Sequence, residues 1–393
     1  MLSPSQKTSL WLRLLPFLRQ ARLWTQRLRV FLRRESSFAA TGPDGLKILL
    51  QGERGELAST LEIWFKDQNL SLIPLRRGEK KRWQPDLVLS SVQSFGRRKP
   101  AEESQRAASE RTLFTQPYVE MEVPLRPDFE QFLYEVLPKK RRTYIRKAQK
   151  FPYQSELSRD PELLAFFLRE ILNPATEDRH GEKSQHLEAE AVMAKGELWQ
   201  LLLLRNQEGE IVGGNLLLRS RWQRQLRIWR QAVHPQFAES AEKHNILLVL
   251  NTAPLELGCR EGLNSVSFGI SPHLLDDSNF YSKRLWACRP SWNESQALIS
   301  IKVLSDKGRN FIEQRPLLCE SPFAGSPDAV LVPRAWTHPE SRELLKEWLN
   351  KYGFQDLNHV AVLHEDRLQF EKISSLEPAG SAGSANPSEV AQA

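Results

Sequence analysis

Asp178, Arg179 and His180 put a carboxylate, a guanidinium and an imidazole in three consecutive positions, directly before Gly181. Such a set can take up a proton, steady a developing negative charge and return the proton. A loop histidine bonding its own backbone is the plain alternative for His180, and only geometry decides which of the three points inward. Tyr281 and Lys283 offer a phenol and an ammonium in one short segment. Lys139 to Lys150 reads as the most basic helix of the chain, with Tyr144 among its cations. It can meet phosphates, or it can be a solvated face that turns Tyr144, Ile145 and Ala148 toward a core. Stacking on bases needs several aromatics, and this helix offers Tyr144 alone. His359 and His364 fall on opposite faces of a predicted strand, which does not suit a shared metal. No GxxxxGK[ST] loop, GxSxG elbow or HExxH helix is present.

The chain has 393 residues, 40% hydrophobic and 26% charged, which excludes a collagenous, wholly disordered or multi-span membrane protein. Its formal charge of +7 permits anionic partners without choosing among them. The three cysteines, Cys259, Cys288 and Cys319, are far apart and form no CxxC pair, so neither a disulfide framework nor a cysteine zinc site is expected. A reducing, cytoplasmic setting follows as the expectation.

Residues 1–45 form a basic amino-terminal segment. Lys7 to Arg34 carries eight Lys/Arg and no acid, with Leu10, Leu14, Phe17, Leu18, Ala21, Trp24, Leu28 and Phe31 at helical spacing. Arg13, Arg19 and Arg22 interrupt the apolar run, so it reads as neither a secretory signal nor a span. It can lie on anionic lipid at the inner face of a membrane, or pack on the protein's own body, which Leu12, Leu23 and Val30 favour.

Beyond it, Leu46 to Gln51, Leu57 to Phe65 and Leu70 to Leu75 read as strands, and Gly96 to Arg111 as an exposed loop. Tyr118 to Val123 alternates as a strand, and Pro127-Asp128 opens a helix through Leu137. Leu198 to Leu204 and Ile211 to Arg219 form a hairpin around Asn206 to Gly209, and Gln225 to Val233 is a third strand. Glu242 to Gly258 reads as a buried helix with a glycine stop. Leu263 to Phe268, ended by Gly269, and Gln296 to Leu304 complete the strands. Trp222, Trp229 and Trp286 are expected in the core or lining a groove. A small unit follows, with a strand at 329–332, a helix at 339–352 and a hairpin at 360–373. Residues 376–393 read as a disordered tail.

Four stretches in this order resemble the CelD-like and Fem-like (FemAB-type) branch of the GNAT acyltransferase superfamily. They are Lys139 to Ala148, Asp178 to Gly181, Glu210-Ile211-Val212-Gly213-Gly214-Asn215, and Phe268-Gly269 with Phe280 to Trp286. The resemblance covers about half of the chain. It implies an α/β (α+β) fold of tandem GNAT-like halves with mixed, largely antiparallel sheets, to which the residue pattern adds the small C-terminal α/β unit. The halves fall at 46–145 and 146–304, the appended unit at 305–375.

The same resemblance implies acyl-CoA, such as acetyl-CoA, as co-substrate, with no metal. It points to Lys283, Tyr281, His180 and Asp178 as catalytic, with Lys283 facing the donor. Lys243, His244, Asn245, Gln231 and Val233 would hold the donor, and Arg179, Tyr144 and Trp229 the acceptor. The implied activity is N-acyl transfer to an amine of a sugar, peptide or lipid precursor, as in cell-envelope polymers. Two alternatives stay open. One is a Fem-type transferase using aminoacyl-tRNA. The other is a non-catalytic scaffold, suggested by the absence of glycine from Ser240 to Asn245 and by Ser267 standing where the family keeps an aspartate.

Overall fold

The computed structural model describes residues 37–376, except 43–44, 53, 66–71, 76–82, 93–110, 182–185, 221, 241–242, 294–295, 297, 322–326, 355 and 365–366. The basic segment 7–34, nearly all of the loop read at 96–111 and the tail beyond 376 lie outside the described residues. In chain order the first elements are β1 (Ser37–Thr41), β2 (Lys47–Gln51), α1 (Arg54–Phe65), β3 (Ile73–Pro74), β4 (Leu87–Val92) and β5 (Thr112–Thr115). Then come β6 (Tyr118–Pro124), α2 (Phe129–Glu135), α3 (Lys139–Ala148), β7 (Gln154–Ser158), α4 (Pro161–Phe166), a π-helical stretch Phe167–Leu172, α5 (Asn173–His180) and α6 (Ala189–Met193). The central run is β8 (Trp199–Arg205), β9 (Ile211–Ser220), β10 (Gln225–Val233), α7 (Lys243–Arg260), β11 (Ser265–Pro272), α8 (Ser278–Arg284) and β12 (Arg289–Trp292). The last are β13 (Leu298–Val303), α9 (Asp306–Glu313), β14 (Leu318–Cys319), β15 (Ala329–Leu331), α10 (Arg342–Tyr352), β16 (His359–Leu363) and β17 (Leu368–Lys372).

These strands make three sheets, mixed and mostly antiparallel: β3-β1-β2-β4-β13-β5, β12-β6-β11-β10-β9-β8-β7 and β14-β15-β16-β17. The fold is therefore of the α/β class expected. Strand membership crosses the sequence division at two places. β6 belongs to the seven-stranded sheet, and β13 returns to the first sheet between β4 and β5 instead of closing the second.

The seven-stranded sheet is covered on both faces. Val119, Met121, Val123, Leu202, Leu217, Leu226 and Val266 bury one face against Phe132, Ile145, Ala148 and Leu255 of α2, α3 and α7. Leu201, Leu203 and Leu216 bury the other against Phe167, Leu168, Ile171 and Val192. The alternation of the strands alone dictates which side chain goes to which layer.

Three local readings are corrected. Leu57 to Phe65 is the end of α1, not a strand. Leu57, Leu61, Trp64 and Phe65 are buried at helical spacing, and a short apolar run does not separate helix from strand by itself. Gly258 lies inside α7 and does not end it. A β-carbon there would stand 2.5 Å from Leu125 Cδ1 and 3.1 Å from Val266 Cγ2, so its smallness lets the helix press onto the sheet. The helix ends past it, at Gly262 (φ 64°), where Leu263 N–H closes on the Gly258 carbonyl at 2.9 Å. Trp222 is neither core nor groove, being 84% exposed on the turn after β9.

His273, buried after β11, ties the first sheet's helix to the second sheet. Trp64 Nε1–H donates to its Nε2 at 3.2 Å, and its Nδ1 lies 2.9 Å from the Pro117 carbonyl. Both bonds are met by the neutral ring with its proton on Nδ1. Burial accordingly pulls the imidazole down to about 4. The unfolded chain binds this proton near pH 6.5 and the folded one only near 4, so the contribution is intact above about 6.5 and lost as pH falls toward 4. Chemical denaturation at pH 7 and pH 5 should show wild type losing about 2 kcal/mol more than His273→Asn over that interval. Separately, Gly258→Ala should lower stability by about 1–3 kcal/mol despite its better helix propensity, because the methyl overpacks Leu125. Thermal melts of the two proteins check this.

Candidate active site

β10 and β11 are parallel neighbours for only three pairs, Gln225 with Ser265, Leu226 with Val266 and Arg227 with Ser267. Beyond these each strand follows its other neighbour. β10 stays on β9 to the pair Val233 and Gly213, with Trp229 bulged out between Ile228 and Arg230. β11 stays on β6, with Phe268 and Gly269 bulged out between Ser267 and Ile270. Gly269 takes φ 76°, which a side chain would disfavour, and its N–H donates to Ser267 Oγ at 3.0 Å. Among the described residues, no ladder joins β10 to β11 past Arg227. The two strands part there, which leaves one edge of the segment Ile228 to Val233 without a strand partner and defines the gap between them.

Polar groups from three strands and one helix meet at the apex of this gap. Glu120 of β6 is 8% exposed and accepts from Ser267 Oγ, and its Oε2 pairs with Arg227 Nη2 at 3.1 Å. Glu122, two residues on and on the same face, accepts from Ser291 Oγ at 2.9 Å. Lys283 reaches in from α8, and its Nζ donates to the Ile270 carbonyl at 2.7 Å, just past the bulge. Burial pulls this ammonium down to about 8; Cys288, Glu120 and Asp277 oppose the shift, and Arg227 adds to it. The Cys288 thiol is fully buried, and burial raises it far beyond the usual thiol range, so it is no nucleophile here.

Local sequence explains how α8 presents its lysine. Asp277 caps the helix, accepting from Asn279 N at 2.9 Å and Phe280 N at 3.2 Å. Phe280 then buries at 0% exposure. Arg141 of α3 holds the far end, donating Nε to the Leu285 carbonyl at 3.1 Å with its guanidinium 4.4 Å above the Trp286 ring.

The other sequence-predicted residues are distributed as follows. Trp229 is the bulged residue of β10, at the gap. Gln231 and Val233 lie on the same strand, Val233 buried and Gln231 bonded through Nε2 to Asn251 Oδ1 at 3.2 Å. Lys243, His244 and Asn245 form the first turn of α7, the first two exposed. Tyr281 turns away from Lys283 and packs edge-on against Tyr352 of α10 at 5.8 Å. Tyr144 lies under Arg141, 5.4 Å from its guanidinium, rather than at the gap. Asp178 is exposed near the end of α5, and the Arg179 and His180 side chains lie outside the described ones.

Sequence reading missed Glu120, Arg227 and Arg230. A signal for the first existed, since two carboxylates alternate with Val119, Met121 and Val123 on a strand otherwise fit for a core. The carboxylate that the resemblance led one to seek at Ser267 is supplied from the neighbouring strand, with Ser267 as its hydrogen-bond donor.

No family model matches the chain, and no curated protein does. Solved structures similar to it include L-PGS from Bacillus licheniformis, at 13% identity over 71% of this chain and 84% of that one, with a TM-score of 0.36. FemX is similar at 12% identity over 71% and 90%, with a TM-score of 0.37. A tandem GNAT protein from the clavulanic acid biosynthesis pathway is similar at 12% identity over 69% and 80%, with a TM-score of 0.30. Likeness at this level adds no weight to a functional reading. Among the described residues no helix is long and apolar enough to cross a membrane.

Glu120→Gln should keep the Ser267 bond and remove the charge facing Arg227. The expected cost is roughly 1–2 kcal/mol, below that of a wholly buried pair because the Arg227 side chain is 36% exposed. The same change removes a charge that holds the Lys283 ammonium up, so its titration should move below that of wild type. NMR of ¹³C-methylated lysines reads that shift.

Proposed function

We propose that the gap between β10 and β11 is the site of N-acyl transfer from a thioester donor of the acyl-CoA type to an amine. The observation that carries this reading is the parting of a parallel strand pair with a desolvated lysine at its apex. The donor is an extended molecule with amide groups and a carbonyl, and it supplies the activated acyl group. The β10 segment Ile228 to Val233 offers main-chain donors and acceptors along the gap, which can pair with such amides as a further strand would. Lys243 and His244, exposed in the first turn of α7, suit its phosphates, with the helix start adding to the attraction.

At the apex, Lys283 Nζ provides positive charge where partial burial limits screening by water, with Arg227 beside it, and negative charge on a carbonyl oxygen would develop there. Glu120 is the carboxylate at the same apex. It holds Arg227 in place and can take a proton from an incoming ammonium. An acceptor in the class of sugar, peptide or lipid-linked amines, and a cytoplasmic setting, complete the reading.

Isothermal titration with acetyl-CoA is the direct test, and no heat with acetyl-CoA or a longer acyl-CoA overturns it. In single-turnover transfer to a panel of amines, Lys283→Ala should raise the barrier by roughly 2.7–4 kcal/mol, with unchanged circular dichroism. Lys283→Arg should restore little, since a planar fork does not replace a point charge. Because the charged form is the working one, the rate should decline as pH rises through about 8, the value to which burial brings Lys283.

A further inference from the structure

The bulge at Trp229 has an electrostatic consequence. Arg227 stands opposite Leu218 and Arg230 opposite Leu216, and both leucines belong to the layer packed under α4 and the π-helical stretch. The extra residue therefore brings both guanidiniums to one face, beside each other. Arg227 spends one nitrogen on Glu120, while its Nε is buried with no partner among the described residues. Arg230 is half-buried, and among the described residues its Nη1 donates to the adjacent Trp229 carbonyl at 2.9 Å. Burial first, and Arg227 second, hold its guanidinium below the usual range. Lys195, exposed just after α6, lies 5.0 Å above the Trp229 ring, and the Arg230 guanidinium lies 5.7 Å from the same ring. Two cations thus flank one indole, with Arg227 next to Arg230 on the same face, and Glu120 pairs with Arg227. A half-buried, like-charged guanidinium pair is costly to hold together unless an anion sits between its members.

We propose that Arg227, Arg230 and Lys195 form a phosphate-binding niche around Trp229, which takes a ligand bearing a phosphate ester. Phosphate suits it better than a carboxylate. Its charge near −2 and three terminal oxygens match the remaining N–H groups of two guanidiniums and an ammonium at once. Resting on the acyl-transfer reading, the niche assigns this phosphate to the acceptor. It lies on the sheet face under α4 to α6, whereas the α7 turn assigned to the donor's phosphates follows the far end of β10.

The test is isothermal titration of the full chain with O-phosphoethanolamine and with ethanolamine. Wild type should bind the phosphate ester at least tenfold more tightly than ethanolamine. Arg230→Met, which keeps the stem over Trp229, should lose at least tenfold, and Lys195→Ala a smaller factor. Arg230→Lys should retain part of the affinity. Arg230→Met should melt no lower than wild type without ligand, since it removes a repulsion. Equal affinity for the two probes, or an Arg230→Met protein that binds as wild type does, overturns the niche. A marked fall in melting temperature with unchanged binding shows a structural arginine and also overturns it. Phosphatidic acid vesicles, compared with phosphatidylcholine, locate the phosphate on a lipid if Arg230-dependent co-sedimentation is seen, and on a soluble ester if it is not while the soluble probe binds. Acetyl-CoA is titrated in parallel. Its failure to bind removes the acyl-transfer reading and the acceptor assignment, whereas the phosphate result stands or falls on Arg230.

Discussion

A carboxylate in the middle of a sheet must find its partners on neighbouring strands, and Glu120 finds them where those strands separate. Ser267 on β11 donates to one oxygen and Arg227 on β10 pairs with the other. Three strands are thereby fastened at one point, and two of them, β10 and β11, bulge within two residues of it. Bulges turn strands and re-aim side chains. Here a pair of them converts a continuous sheet into one that divides, while the burial of each outer flank continues on β9 and β6. Removing the Glu120 charge would leave Arg227 without that partner at the last ladder pair of β10 and β11.

Lys283 depends on this division and on a support outside the sheet. Its ammonium bonds the Ile270 carbonyl, the first position of β11 to resume pairing with β6 after the bulge. The helix that carries it is gripped from the far side by the C-terminal unit. Arg284 donates to the carbonyls of Lys351 and Gly353 at the end of α10, Phe280 packs edge-on to Phe354, and Arg289 pairs with Asp356 at 3.2 Å. That unit is itself locked by Asp328, which accepts from Ser321 Oγ at 2.8 Å and lies 3.0 Å from His359 Nδ1. The appended strands thus hold α8 in register with the gap, and the three residues form a brace between strands rather than a nucleophilic set, since Ser321 and His359 both address the carboxylate.

How much of this was readable in sequence varies with the range of the interactions. The hairpin β8–β9, the strand β10, the cap Asp128 before α2 and the amphipathic α3 follow from patterns spanning a few residues, and they stand where expected. So does Lys283, in the sense that its segment was singled out, although the resemblance rather than any local pattern did so. Leu57 to Phe65 failed because Leu61, Ile63 and Phe65 also alternate as a strand would, and a stretch this short does not separate the two periods. Gly258 failed because a glycine's role as a stop or as a contact point depends on what lies across from it, here Leu125.

The amino-acid sequence by itself determined the class of fold, the order of strand, helix and strand from β10 to β11, and the alternation that sends Val119, Met121 and Val123 to one layer and Glu120 and Glu122 to the other. It could not determine that Glu120 stands beside Ser267, nearly 150 positions away, or that Arg227 and Arg230 share a face. The reason is physical. Side-chain period is a property of one strand, but register between distant strands is set by which bulges the assembled sheet accepts, and a single extra residue at Trp229 moves a charge from one layer to the other. Tertiary structure alone decided that β13 returns to the first sheet, that His273 is held neutral between Trp64 and Pro117, and that four cations gather where two strands part.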